Sequence, residues 1–472
     1  MRREERPESL VADGRRPLVS SATAKNGRPV LPWWGAVGVA VLAGGLFLLV
    51  RDVERWNAIW YVPAWYGYLL LVDALAFRLQ GRSFVGGRLR ELGAMMFWSV
   101  PFWFLFEAYN LRLENWYYVF ALRNDLAGAA FGALAFATVL PACFLHAELL
   151  RALGLFRSLR WRPLRVGRGV LFFCATLGVL SIAAPLLVPR YAFWMVWGAT
   201  LWIPEVVNFR SGAPSLLADL EQGRAGRIAR LAAGGLCAGL VWETFNYWAR
   251  CKWIYTVPGF ESAKLLEMPI AGFAGFPLLA LEAFACFSLI SHFLRGARHR
   301  EESESCPRRP VPRGRLAAAV ATALLASGVT YWAALSQTVA SRRPLLAELA
   351  GLDGDAAGRL RAAGIPTPER LHGAARREGA NAVARRAGLP PARIEQAARH
   401  ASLALHKGMG ARPARLLQSV GVESVAQLAR ADPNDLARRL EAAARASGHV
   451  SPPRAQVRVW VEAARITGET RR

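Results

Sequence analysis

Acidic side chains are scarce in this chain. It carries 34 Asp and Glu against 59 Lys and Arg, a formal net charge of +25 over 472 residues. Yet 54% of the residues are hydrophobic and the mean hydropathy is positive. A soluble surface rarely combines these two properties, whereas a membrane protein with basic inner loops does so naturally. Cysteine is also sparse, at 6 residues, and no CxxC or Cys/His spacing is present. That excludes a zinc-site reading, and no metal or cofactor is expected. Cys143, Cys174, Cys237 and Cys286 sit inside apolar runs, where cysteine acts as a small buried hydrophobe. The basic first thirty residues have no apolar signal core or cleavage site directly behind them. The run from Leu31 to Val50 therefore reads as a retained helix.

What the chain has in abundance is apolar runs long enough to span a bilayer. Nine are expected, near 31–50, 58–77, 92–110, 126–149, 169–188, 191–208, 229–249, 268–294 and 315–337. Arginines crowd three connections: Arg78 to Arg90, Arg151 to Arg168, and the segment through Arg313 and Arg315. The positive-inside bias places these loops and the N-terminus in the cytoplasm, with the cytoplasmic membrane as the location.

Part of the chain is written twice. "FEAYNLRLENWYYV" (Phe106 to Val119) matches "WETFNYWARCKWIYTVP" (Trp242 to Pro258). Glu107 then matches Glu243, Asn110 matches Asn246, Trp116 matches Trp253 and Tyr118 matches Tyr255. "VLPACFLH" matches "GFPLLALE", setting His146 opposite Glu282. "LVDALAFR" matches "IPEVVNFR", setting Asp73 opposite Glu205. The offset is about 132–136 residues. Four crossings per copy give both copies one orientation, so the expected symmetry axis lies along the membrane normal. The expected fold is an all-α polytopic bundle with a small helical tail. Its parts are a basic disordered segment (1–30), repeat 1 (31–160), repeat 2 (161–300), a basic linker (301–314), a ninth helix (315–340) and a C-terminal domain (345–466).

Carboxylates facing lipid cost roughly 2.5–3.5 kcal/mol on insertion scales, so these acids should turn into the bundle. They fall in two layers. Glu107 and Glu243 lie toward the outer leaflet, with Asn110 and Asn246 at i+3 placed to share hydrogen bonds with them. Asp73, Glu205, His146 and Glu282 lie in the inner half. A His opposite a Glu suits an acid–base pair or a proton relay. The plainer alternative is that Glu and Asn only pin helix ends, and that Trp116, Tyr118, Trp253 and Tyr255 form an aromatic belt. The candidate catalytic residues are therefore Glu243, Glu282, His146 and Glu107. The candidate substrate-binding residues are Asp73, Glu205, Asn110, Asn246 and the four aromatics.

Two resemblances add to this reading. In the tail, "GLDGDAAGRLRAAGIPTPERL" and "GMGARPARLLQSVGVESVAQL" are two copies of a turn, a short helix, a Gly-apolar break and a capping Thr or Ser. This resembles the helix-hairpin-helix motif, and the tandem resembles a bacterial C-terminal domain family of unknown function. The resemblance implies backbone phosphate binding at turns Gly351–Asp353 and Gly408–Gly410. Asp353 replaces the second Gly of the first turn and would repel phosphate. Nine crossings from a cytoplasmic start place the tail outside, which argues against nucleic acid and for a protein partner. In the membrane part, Trp253-Ile254-Tyr255, then Pro277-Leu278 and Glu282, is similar to the lycopene cyclase domain. There the resemblance implies proton donation to an isoprenoid by Glu243 and Glu282, although Leu279 and Ala280 stand where that family has paired Glu. Three functions stay open: lipid- or isoprenoid-directed chemistry, proton- or cation-coupled transport of a small molecule, and a membrane-anchored scaffold.

Overall fold

The computed structural model describes residues 30–257, 263–295, 312–337 and 341–469. The expectations of a disordered N-terminal segment and, for most of its length, a basic linker fall outside them. The described chain is mostly helical. Its first part runs α1 (Trp33–Val50), α2 (Glu54–Ile59), α3 (Tyr61–Gln80) and α4 (Leu89–Leu113), then strand β1 (Trp116–Val119), α5 (Asp125–Phe136) and α6 (Val139–Ala152). The second part runs α7 (Arg168–Leu187), α8 (Pro189–Ala192), a 3-10 turn (Phe193–Gly198), α9 (Trp202–Ser211), α10 (Leu216–Glu221) and α11 (Gly226–Trp248). It continues with β2 (Lys252–Tyr255), β3 (Lys264–Leu265), β4 (Met268–Pro269), a 3-10 turn (Ile270–Ala274) and α12 (Gly275–Arg295). Then comes α13 (Arg313–Gln337).

Among the described residues seven helical stretches are long and apolar enough to cross a membrane, against the nine expected. The run 92–110 does lie in one helix, α4, but its Glu, Asn, Trp and Tyr content keeps it out of the seven. The run 191–208 is not one helix: it is split among α8, the 3-10 turn and α9. Proline explains this break and three others. A proline has no N–H for the carbonyl four residues back and crowds it. Pro63, Pro141, Pro204 and Pro277 each follow a helix boundary by a few residues, at Trp60, Ala137–Thr138, Ala199–Leu201 and Ala274. The α5/α6 break exposes polar backbone, and Ser99 meets it. Its hydroxyl donates to the Phe136 carbonyl at 2.5 Å and accepts from the Leu140 N–H at 3.1 Å.

The bundle packs around one aromatic-rich core that takes in Trp65, Trp98, Phe106, Leu140, Phe284 and Phe287. Close helix contact depends on small residues. Side chains in place of Gly234 and Gly235 on α11 would strike Ala147 of α6 and Phe276 of α12. By contrast α1, α7 and α13 turn large apolar side chains outward: Phe172 and Leu187 are each 75% exposed, Leu325 and Trp332 each 69%.

The tail comprises α14 (Gly354–Ala362), α15 (Pro368–Glu378), α16 (Ala380–Ala387), α17 (Pro391–Leu405), α18 (Ala411–Ser419), α19 (Val425–Arg430), α20 (Pro433–Ala446) and α21 (Arg454–Glu469). Thr367 and Ser424 accept from the N–H groups of Arg370 and Gln427, so they cap α15 and α19 as their positions suggest. Two small cores result, one built around Leu360, Leu371 and Ile394, the other around Leu417, Leu440 and Trp460.

Candidate functional site

The two helices that carry "FEAYN" and "WETFN" end in the same way. Asn110 clasps the strand behind α4: its oxygen accepts from the N–H groups of Asn115 (2.9 Å) and Trp116 (3.2 Å), and its amide donates to the Trp116 carbonyl (2.9 Å). Asn246 does this for β2, accepting from Trp253 N–H at 3.0 Å and donating to its carbonyl at 3.1 Å. The expected Glu–Asn sharing is not formed, because each Asn is spent on turning its helix into a strand. The tyrosines reach back to the acids instead. Tyr118 donates to Glu107 at 2.6 Å and Tyr255 to Glu243 at 2.7 Å. The indoles of Trp103 (2.8 Å) and Trp116 (3.3 Å) add to the same oxygen of Glu107.

Both strands meet at one end of the bundle. β1 and β2 pair antiparallel with Trp116 opposite Tyr255, Tyr117 opposite Ile254 and Tyr118 opposite Trp253. This corrects the aromatic-belt expectation. Trp116 and Trp253 belong to the ring cluster of Trp103, Trp242 and Tyr61, and Tyr118 and Tyr255 hold carboxylates. Sequence reasoning missed the strands because two four-residue segments gain stability only from each other.

At the other end, Asp73 and Glu205 organise the loops that follow their helices. Asp73 accepts from Ser83 (2.7 Å), the N–H groups of Phe84 (2.8 Å) and Val85 (3.2 Å), and the Trp34 indole (3.1 Å). Glu205 accepts from Ser215 (2.7 Å) and the Leu217 N–H (3.1 Å). Each acid is thus tied to a serine 10 residues on, a signal the sequence contained.

Between these layers lie His146 and Glu282. The Nδ1 of His146 faces the Ala142 carbonyl (2.7 Å), so it carries the hydrogen, and Nε2 accepts from Tyr68 (2.9 Å). Glu282 accepts at 3.1 Å from the N–H of Thr200, which the break before Pro204 leaves free of the helix ladder. Each turns toward its own half. Among the described residues no hydrogen bond joins the two, so the expected acid–base pair is not made. Nor do Glu243 and Glu282 share a layer. Gly235 sits level with Ala280, and Glu243 lies two turns farther along α11, about 12 Å at 1.5 Å per residue. All six residues are nonetheless buried. Glu205, Glu243 and Glu282 each keep one buried oxygen without a partner.

The tail lies on the strand pair. Val119, Ile254 and Val459 form a small apolar contact, Tyr117 donates to the Lys407 carbonyl (3.1 Å), and Arg458 donates to the Thr256 carbonyl (2.6 Å). Arg123 grips both oxygens of Glu348 at 2.8 and 2.7 Å. Glu267 is buried and meets Lys252 (2.8 Å) and Lys407 (3.6 Å). Burial pushes its carboxyl up, but Lys407, Lys252 and Lys264 outweigh that and hold it below the usual range. Gly408 has φ +64, and a side chain there would collide with Val119. Ser341 donates to the Gly408 carbonyl, and Gly410 packs on Arg342. The second turn, Gly408 to Gly410, is therefore sealed against the bundle, and its backbone does not face a phosphate. In the first, Arg393 ties the Gly351 carbonyl (2.7 Å) to the Asp353 carboxylate (2.8 Å), and Asp353 caps α14.

The eight tail helices therefore form a unit that spans two cores. Residues 350–467 match a family model described as a domain of unknown function, DUF4332. The matched segment starts just before the Gly351 turn and ends within α21. No curated protein matches the chain, and no solved structure does.

Proposed function

We propose that the chain is an integral membrane protein of two tandem four-element copies and a ninth helix. Its bundle holds the tandem-hairpin tail against one face of the membrane as a module for a protein partner. The carrying observation is the strand register. Positions 116, 117 and 118 match 253, 254 and 255. Tyr117 pairs with its own match, and the flanking pairs exchange. A half-turn through that central pair maps each strand onto the other, which supports a rotation axis along the bilayer normal. The matched tyrosine–glutamate bonds, asparagine clasps and serine-tied acids fit the same rotation. The strands and the tail share one end, and the arginine-rich loop of 153–167 meets the loop of 222–225, which carries Arg224, at another, where Trp161 N–H bonds the Gly223 carbonyl at 3.0 Å. With those loops cytoplasmic, the tail lies outside.

Docking is tested by Gly408→Val in the full chain in lipid nanodiscs. Overpacking of about 1–3 kcal/mol adds to about 1–2 kcal/mol for a left-handed branched residue. Amide exchange at 116–119 and 252–255 should rise at least tenfold. Unchanged protection would overturn the scaffold reading. A second reading is favoured by the bare oxygens of Glu243 and Glu282. Buried carboxylates with unused capacity suit proton- or cation-coupled transport, or protonation of an isoprenoid or lipid. The proline break before Pro141 falls midway along the stretch Asp125–Ala152, as in the interrupted helices of repeat transporters, whereas the break before Pro277 falls near the start of Ile270–Leu294. Under that reading Glu243→Gln abolishes activity while insertion and tail protection persist.

A further inference from the structure

The tail contains a cavity of about 380 Å³ between α18 and the segment before α21. That volume lies at the lower end of small-molecule sites. Its lining includes Arg412, Arg415, Ser419, His449, Leu416 and Val450. Spacing on α18 makes the charged wall: 412, 415 or 416, and 419 fall on one helix face. Neither Arg412 nor Arg415 is within ion-pair distance of a carboxylate among the described residues. Arg415 acts electrostatically on Glu348, whose carboxylate is already gripped by Arg123. The Ser419 hydroxyl already donates to the Leu416 carbonyl at 2.8 Å, so the donors come from the two guanidinium groups beside the His449 imidazole, and no carboxylate lines the cavity.

We infer that this cavity binds a small phosphate-bearing ligand, with the phosphate on Arg412 and Arg415 and an uncharged remainder against Leu416 and Val450. Guanidinium forks match phosphate oxygens bidentately, which favours phosphate over a spherical anion. The site is distinct from the Gly408 turn, whose backbone is sealed on Val119. It lies close to the docking surface, since Arg412 follows by two residues the Gly410 that packs on Arg342. Both a free phosphate monoester and the headgroup of an anionic lipid carry this chemistry.

The test uses the full chain in phosphatidylcholine nanodiscs. In one arm glycerol 1-phosphate is titrated calorimetrically. In the other the discs contain phosphatidylglycerol, and lipid retained on the protein is measured by native mass spectrometry. Saturable one-to-one binding of glycerol phosphate assigns a free ligand, and retention of phosphatidylglycerol without it assigns a headgroup. In either case Arg412→Gln with Arg415→Gln should weaken binding at least tenfold. Arg370→Gln with Arg430→Gln, which removes the same charge elsewhere in the tail, should leave it within twofold. The proposal is overturned by absence of binding in both arms, by equal binding in the cavity variant, or by an equal loss in the charge-matched variant. Preference for duplex DNA over both probes overturns it as well.

Discussion

The first and second parts of the bundle both bury ionisable side chains in similar sequence phrases but satisfy them differently. In the first half Asp73 has four donors, Glu107 has three on a single oxygen, and both nitrogens of His146 are engaged. In the second half Glu205, Glu243 and Glu282 each leave a buried oxygen bare. A buried polar group without a partner costs about 1–3 kcal/mol. The first half has the character of a fastening, and the second retains unused capacity where a proton, cation or polar ligand can be held.

The sharpest way to break this comparison is to delete the matched acids. Glu107→Ala strands the Tyr118 hydroxyl and the indoles of Trp103 and Trp116, all close to the strand pair. At about 1–3 kcal/mol per stranded donor, the loss should reach about 3 kcal/mol. Glu243→Ala strands only the Tyr255 hydroxyl and removes a bare oxygen, so it should cost about 1 kcal/mol. Unfolding of the purified protein in mixed detergent micelles measures both. Equal losses would show that the halves are fastened alike.

The positions behind this contrast were legible in the letters, though the contrast itself was not. The matched phrases placed all six buried polar residues, and the caps at Thr367 and Ser424 followed from hairpin spacing. Some partners lay within reach of spacing: Trp103 stands one helical turn before Glu107, and Ser83 and Ser215 each stand 10 residues after their acid. Tyr68 and Thr200 were not legible, because they meet His146 and Glu282 through tertiary contact and a proline break. The strands were hidden for a related reason: "WYYV" and "KWIY" are 137 residues or so apart and gain ladder bonds only from each other. The sealed Gly408 turn was invisible too, since nothing local to it names Val119 as its neighbour.

A saturated group outside the bundle sharpens the rule. His400 joins the two tail cores: Nδ1 accepts from the Ala350 N–H at 2.8 Å, and Nε2 donates to the Ala411 carbonyl at 3.1 Å. Burial, with Arg415 adding to it, lowers its pKa from 6.5 to about 4. The unfolded chain therefore binds the proton more readily, and the neutral form favours folding. That contribution is fully present above about pH 6.5 and is lost as the pH falls through about 4. Amide protection at Ala350 and across 400–411, taken relative to the intrinsic exchange rate at each pH, should fall over this window, and a His400→Gln protein should show little change there. A wild-type profile that stays flat from pH 7 to 4 would detach saturation from dependence.

The smallest effect is the most discriminating, because it runs opposite to the first. Tyr118→Phe removes one of three donors to Glu107, and two indoles remain. Tyr255→Phe removes the one hydrogen bond that Glu243 accepts among the described residues and leaves both its oxygens unmatched inside the bundle. A single hydrogen bond contributes about 0.5–1.5 kcal/mol, and retained donors soften its loss. Tyr255→Phe should therefore cost about 1 kcal/mol more than Tyr118→Phe. In the acid deletions the first half suffers more, and in the tyrosine deletions the second half does. General fragility of either half would shift both members of its pair in one direction. Only a difference in how many donors each carboxylate holds produces the crossing, and the same micelle unfolding assay reads all four variants.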